Sequence, residues 1–209
     1  MTKIKICGLS RHEDVLYVNK LKPDYAGFVF AKKSRRYLSD TQAKSLRAQL
    51  DPKIVSIGVF VDDNIEHIKK LVESGVIEQI QLHGQEDEDY IESLRQNTKQ
   101  PIIKAYTIDS AEDIVAAQKS RADFILLDHG KGGTGETFDW QLIQNFKRPF
   151  FLAGGLEPIN VAQAIAHTKP YAVDVSSGVE ENAYKSYDKI KMFINNVRTI
   201  DERINQNEK

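Results

Sequence analysis

The chain has 209 residues, with 29 Lys and Arg against 30 Asp and Glu, a formal charge of -1, 41% hydrophobic and 28% charged residues. That balance excludes a disordered chain and a strongly basic binder of nucleic acid or membrane surface, and no apolar run approaches the ~18 residues of a spanning helix. One cysteine, Cys7, cannot form an intramolecular disulfide. With no signal-peptide-like apolar segment at the start, this leads to the expectation of a soluble cytoplasmic protein.

The elements alternate from the first residues. Lys3–Cys7 alternates apolar and polar residues and stops at Gly8, as a strand entering a loop does. A helix is expected over 12–20, a strand over 25–30, then a basic loop Lys32-Lys33-Ser34-Arg35-Arg36. Ser39 or Asp40 caps a helix to about Leu50, 54–61 is a strand, and Asp62 or Asp63 caps a helix to Glu73. Strands at 79–83, 102–106 and 124–128 alternate with helices at 88–97, 111–118 and 139–146. Strand 150–153 with helix 157–167 forms the seventh pair, and strand 172–175 with helix 186–197 the eighth, ahead of a polar tail from about Thr199.

Eight strand–helix units without a composition break imply a parallel sheet with right-handed crossovers in one domain. The count matches an α/β fold of the single-domain (β/α)8 TIM-barrel type better than an open doubly wound sheet.

Strand parity then indicates which side chains face the barrel interior. Ile80 and Leu82, Ile125 and Leu127, and Val173 and Val175 form the helix-facing parity. Gln81 with His83, Leu126 with Asp128, and Asp174 with Ser176 form the other, joined in the first strand by Lys5 and Cys7. Unpaired polar groups are costly to bury, so this inward set predicts a functional mouth at the C-terminal ends of the strands, where barrel active sites lie. Lys5, on the same face as Cys7, is expected to favour a thiolate; an inert buried cysteine is the competing explanation.

Ala153-Gly154-Gly155-Leu156 follows the seventh strand and Ser176-Ser177-Gly178 the eighth. These are the loops at which barrels of this kind bind phosphate through backbone N–H groups, so a phosphorylated small molecule is expected at Gly154, Gly155, Ser176 and Ser177. Arg35 or Arg36, on the same face, could grip a carboxylate. The glycine-rich 130–137 segment is either a lid beside Asp128 or a linker. His12, His67 and His167 fall on predicted helices and are expected at the surface. No spacing suggests a metal site, so neither metal nor cofactor is expected.

Over nearly its full length the chain resembles the phosphoribosylanthranilate isomerase family of tryptophan biosynthesis. The resemblance is carried by Lys5-Ile6-Cys7-Gly8-Leu9, Gly27-Phe28-Val29-Phe30 with Lys33-Ser34-Arg35-Arg36-Tyr37, Gly58-Val59-Phe60-Val61 and Gln81-Leu82-His83-Gly84. It continues through Leu126-Leu127-Asp128, Gly132-Gly133-Thr134-Gly135, Phe138-Asp139-Trp140, Ala153-Gly154-Gly155-Leu156 and Val173-Asp174-Val175-Ser176-Ser177-Gly178-Val179-Glu180. It implies a cofactor-free Amadori rearrangement with Cys7 as general base and Asp128 as general acid, and Arg36 holding the substrate carboxylate. Lys5, Gln81, His83 and Asp174 are expected to bind the remaining substrate. Thr134-Gly135-Glu136 stands where relatives often carry Ser-Gly-Lys, and Ala153 where a serine is frequent.

Two other functions fit part of this pattern. A different phosphosugar barrel enzyme would need a lysine–glutamate mouth or a metal with paired aspartates. A non-catalytic phosphometabolite binder would not need Cys7 and Asp128 together. The helices show no additional apolar stripe, so a monomer is expected.

Overall fold

The computed structural model describes residues 1–128, 140–143 and 146–207. Eight parallel strands close into a barrel in sequential order: β1 (Lys3–Cys7), β2 (Tyr25–Val29), β3 (Val55–Phe60), β4 (Gln79–Leu82), β5 (Ile102–Thr107), β6 (Phe124–Asp128), β7 (Phe150–Leu152) and β8 (Ala172–Val175). Closure pairs β1 with β8, Lys5 opposite Asp174, while Cys7 lies opposite Gly27 of β2. Around the barrel run α1 (His12–Leu21), α2 (Asp40–Arg47), α3 (Ile65–Glu73), α4 (Glu88–Asn97), α5 (Ala111–Lys119), α6 (Val161–Thr168) and α7 (Tyr187–Asn207). After β8 come a short 3₁₀ turn at Ser177–Val179 and a hairpin of β9 (Glu180–Glu181) with β10 (Tyr184–Lys185). Among the described residues no helix is long and apolar enough to cross a membrane.

The two strand faces have separate cores. Ile4, Ile6, Phe28, Ile80, Leu82, Ile125, Leu127, Val173 and Val175 pack outward against the helices. Tyr25, Ile57, Ile103, Leu126, Phe151 and Ala172 fill the lower interior. Above them lie the buried polar residues Lys5, Gln81 and Asp174, and above these Cys7, Val29 and Val59. Strand alternation alone produces this layering, because each strand turns one parity to the helices and the other to the axis.

Three elements depart from expectation. Where a helix was expected at 139–146, Trp140–Ile143 form a 3₁₀ turn, and Phe146 N–H donates to Ile143 O at 3.0 Å. Trp140, Ile143 and Phe146 recur every three residues, the 3₁₀ period rather than the α one. Helix α6 starts at Val161, not Glu157: Asn160 accepts from Glu157 N–H at 2.8 Å and donates to Gly155 O at 2.8 Å, spending residues 157–160 on a turn. The residues from Thr199, expected as a polar tail, continue α7 to Asn207. Ile200 and Ile204 prolong its apolar stripe, and buried Asp201 accepts from Thr2 N–H at 2.8 Å and Thr2 Oγ1 at 2.7 Å.

Helix caps largely follow the residues. Ser39 caps α2 in a capping box with Gln42; α3 is capped by Asn64 rather than Asp62 or Asp63. His67, expected at the surface, is a clamp. It bonds Asp63 and Asp40 at 2.9 Å each and stands edge-on to the Phe30 and Phe60 rings. Its burial disfavours the charge, but the bonds and charges of the two aspartates win and hold its pKa above the usual 6.5.

Asp201→Ala strips two buried bonds from the N-terminal strand and should cost about 1–3 kcal/mol in urea unfolding; an unchanged midpoint would show that α7 does not anchor β1. The His67 contribution is complete below its unfolded pKa and fades as pH rises through the raised folded value. The melting temperature of His67→Gln should therefore fall further below wild type at about pH 6 than at about pH 9, and a pH-independent gap would refute the clamp.

Candidate active site

At the C-terminal end of the barrel lies a cavity of about 300 Å³ whose walls include Cys7, Arg36, Gln81, His83, Asp128 and Asp174, with Gly154, Gly155, Ser176 and Ser177 at one side. These ten expected site residues come from strands or loops one, two, four, six, seven and eight. Closure of the sheet brings them together, since every strand delivers its last inward residue to the same rim. His129 and the 130–137 segment lie outside the described residues.

Lys5 was expected to touch substrate and does not line the cavity. Its side chain is fully buried below Cys7, donating to Asp174 Oδ2 and Gln81 Oε1 at 2.6 Å each. Burial opposes its charge, but Asp174 and Cys7 outweigh this and raise its pKa. Lys5 favours the Cys7 thiolate as expected, but it is outweighed. Burial pushes the Cys7 thiol up, Lys5 and Lys185 pull it down, Asp174 pushes it up again, and the net shift is above the ordinary value. Asp174 shares the charge that Lys5 alone would have offered the sulfur.

The donor chemistry of Lys5 propagates across the floor. An ammonium only donates, so Gln81 must turn Oε1 to Lys5 and Nε2 outward. Nε2 then donates to His83 Nδ1 at 2.9 Å, leaving the His83 proton on Nε2, which faces Asp128 Oδ2 at 3.4 Å. Asp174, Lys5, Gln81, His83 and Asp128 thus form one oriented chain beneath the cavity. Asp174 Oδ1 is buried with no hydrogen-bond partner in the protein.

Glycines make room for this chemistry. A Cβ on Gly27 would approach Cys7 Sγ to 2.7 Å, and one on Gly8, whose φ is +79°, would meet Arg36 Cδ at 2.3 Å. Gly154 and Gly155 have φ of +82° and +61°, and among the described residues their N–H groups donate to nothing in the protein. A Cβ on Gly178 would reach Leu156 O at 2.0 Å, so the loops after β7 and β8 are in contact.

Across the cavity, Arg36 is held by Glu180: Nε to Oε1 at 2.6 Å and Nη2 to Oε2 at 2.9 Å, with Arg35 on the same carboxylate. Buried Lys185 donates to Glu180 Oε1 at 2.8 Å and to Ser176 O at 2.9 Å. Ser176 Oγ donates to Cys7 O at 3.1 Å, so the expected phosphate role of Ser176 falls to its backbone rather than to its hydroxyl proton. Glu180 and Lys185 escaped the sequence reading as site residues. Glu180 closes the Val173–Glu180 segment of the family resemblance without a role attached to it, and Asn182-Ala183 marks a turn before Lys185 but not the contacts of its side chain.

The arrangement offers a thiol and a carboxyl facing one cavity, an arginine for an anion at one end and free backbone donors for another anion nearby. Alkylation of Cys7 by iodoacetamide should accelerate about tenfold per pH unit between about pH 7 and 9, as for a thiol with a raised pKa. A plateau by neutral pH would mean a preformed thiolate.

The family model described as N-(5'phosphoribosyl)anthranilate (PRA) isomerase matches residues 4–196. The chain is 46% identical over 204 residues to the N-(5'-phosphoribosyl)anthranilate isomerase of Endomicrobium trichonymphae, covering 96% of this chain and all of the relative. Among solved structures it is similar to the phosphoribosyl anthranilate isomerase of Thermotoga maritima, at TM-score 0.88 and 38% identity over 95% of this chain and 100% of that one. It is also similar to such an isomerase in complex with reduced 1-(o-carboxyphenylamino)-1-deoxyribulose 5-phosphate, at TM-score 0.85 and 37% identity over the same shares.

Proposed function

The chain belongs to the N-(5'-phosphoribosyl)anthranilate isomerase family, and from that premise we infer that its cavity isomerises N-(5'-phosphoribosyl)anthranilate to 1-(2-carboxyphenylamino)-1-deoxyribulose 5-phosphate in tryptophan biosynthesis. The observation that carries this reading is the placement of Cys7 and Asp128 on one cavity between two anion-binding ends. The substrate has matching ends, a benzoate carboxylate and a sugar phosphate.

Arg36 takes the carboxylate, exchanging part of its hold on Glu180 for the ligand. The N–H groups of Gly154 and Gly155, with Ser177 and the backbone of Ser176, take the phosphate. Asp174, on the same cavity wall, takes a ribosyl hydroxyl. Gln81 and His83 contribute by holding Asp128 as well as by lining the cavity.

In the first step, protonated Asp128 gives its proton to the furanose ring oxygen. The C1–O bond breaks, and the anilino nitrogen lone pair forms the protonated Schiff base. In the second, Cys7 thiolate takes the C2 proton and the electron pair moves toward nitrogen, giving the enolamine, which tautomerises to the ketone. The cationic Schiff base beside Cys7 favours loss of the thiol proton to solvent before the second step, offsetting the burial that raises the free thiol. Each proton transfer is typically worth ~10²–10⁴ in rate.

The same reading takes the protein as cytoplasmic and monomeric. Its large exposed apolar side chains, such as Leu16 on α1, Val115 on α5 and Met192 on α7, sit on separate elements. A relative from Thermotoga maritima is described as dimeric, so sedimentation is the check on this point.

Purified protein in EDTA should convert freshly made phosphoribosylanthranilate, followed by its anthranilate fluorescence. Cys7→Ala and Asp128→Asn should each lower kcat about 10²–10⁴-fold with unchanged folding. Near-wild-type turnover in either variant removes that residue from its role, and tight binding without conversion in the wild type indicates a binding protein instead.

A further inference from the structure

The expected phosphate end has backbone donors, but the sequence reading assigned it no cation. One stands behind it. Lys185 is buried, and its Nζ faces Glu180 Oε1 at 2.8 Å, Ser176 O at 2.9 Å and Ser176 Oγ at 3.4 Å. Three acceptors require three N–H donors, the complement of an ammonium. Ser176 Oγ is free to accept because its own proton goes to Cys7 O.

We propose that Lys185 is the positioning residue of the phosphate loop, its ammonium pinning the Ser176 carbonyl inward so that the Ser177 N–H is aimed at the substrate phosphate. The reason lies in the peptide unit. In a planar trans peptide the C=O of one residue and the N–H of the next point in opposite directions. With Ser176 O drawn to Lys185, the Ser177 N–H points away from it, and Ser176 and Ser177 both line the cavity.

The surrounding structure holds Lys185 for this task. It sits in β10, registered against Glu180 of β9, in a hairpin whose turn forces Asn182 and Ala183 to φ of +50° and +69°. That conformation costs energy in a non-glycine residue and persists only where the surroundings impose it. Arg11 supplies part of the constraint, donating to Lys185 O at 3.2 Å and lying 4.3 Å from the centre of the Tyr184 ring. Lys185 also faces Cys7: the two groups attract, so the lysine favours the thiolate, as Lys5 does, while Asp174 opposes it. Burial, joined by Arg36, draws the Lys185 pKa below the ordinary lysine value, and the charge and hydrogen bond of Glu180 with the charge of Cys7 oppose that shift.

The inference rests on the phosphate-site reading above, and its test separates the two. Inorganic phosphate and anthranilate serve as separate binding probes, with phosphoribosylanthranilate for kinetics. Lys185→Met should weaken phosphate binding and raise KM about tenfold or more, the scale of one charge-assisted hydrogen bond. Anthranilate affinity should stay within about twofold, and the pH dependence of Cys7 alkylation should shift upward. Lys185→Arg should recover part of both losses. If Lys185→Met does not fold by circular dichroism, Lys185→Gln, which keeps an uncharged N–H donor beside Glu180 and leaves the Glu180–Arg36 pair in place, carries the phosphate measurement. A folded variant with unchanged phosphate affinity and KM overturns the proposal. Wild-type protein that binds phosphate without turning over substrate refutes the isomerase reading while leaving Lys185 to be judged on phosphate affinity, and wild-type protein that binds no phosphate overturns both.

Discussion

A lysine and an aspartate at the centre of a closed barrel can exist there only as a pair, and the Lys5–Asp174 bridge at 2.6 Å is the constraint around which the site is arranged. Both come from strands whose pairing closes the barrel, β1 and β8, at directly opposed positions. Removing one partner of such a buried pair costs about 3–5 kcal/mol, because the other charge is left without water. Closure and charge pairing therefore require each other. The pair also fixes what happens above it. Because an ammonium can only donate, Gln81 has one orientation, His83 one tautomer, and Asp128 a defined neighbour.

The same pair acts on Cys7. Lys5 favours its thiolate, but burial is the larger influence and Asp174 adds to it. A lysine neutralised by Asp174 leaves burial dominant, and the thiol is raised. In the proposed mechanism Cys7 gains its strength as a base when a cationic intermediate forms beside it, which concentrates the electrostatic gain in the reaction rather than in the resting protein. On the other side of the cavity Glu180 occupies the Arg36 guanidinium.

Two buried ion pairs, Lys5–Asp174 from β1 and β8 and Lys185–Glu180 in the hairpin after β8, act on Cys7. The first acts on the sulfur from below. The second acts through Ser176, which accepts from Lys185 and donates to the Cys7 carbonyl. Neither lysine lines the cavity; each acts by orienting a group that does.

The barrel, the parity of each strand and the convergence of Cys7, Asp128, Gly154 and Ser177 on one rim were legible in the amino-acid order. Apolar alternation marks which face of a strand is buried, and chain order in a parallel barrel places each strand end. Helix limits were less legible: the turn at 157–160 depends on the bonds of the single Asn160 side chain, which periodicity does not encode. What the sequence alone determined was therefore the set of residues facing the mouth. The tertiary structure decided which of them carry charge to the substrate and which spend it on one another, because charge pairing depends on distances between strands far apart in sequence. Lys5 and Asp174 are 169 positions apart and 2.6 Å apart in space, and only closure of the barrel makes them partners.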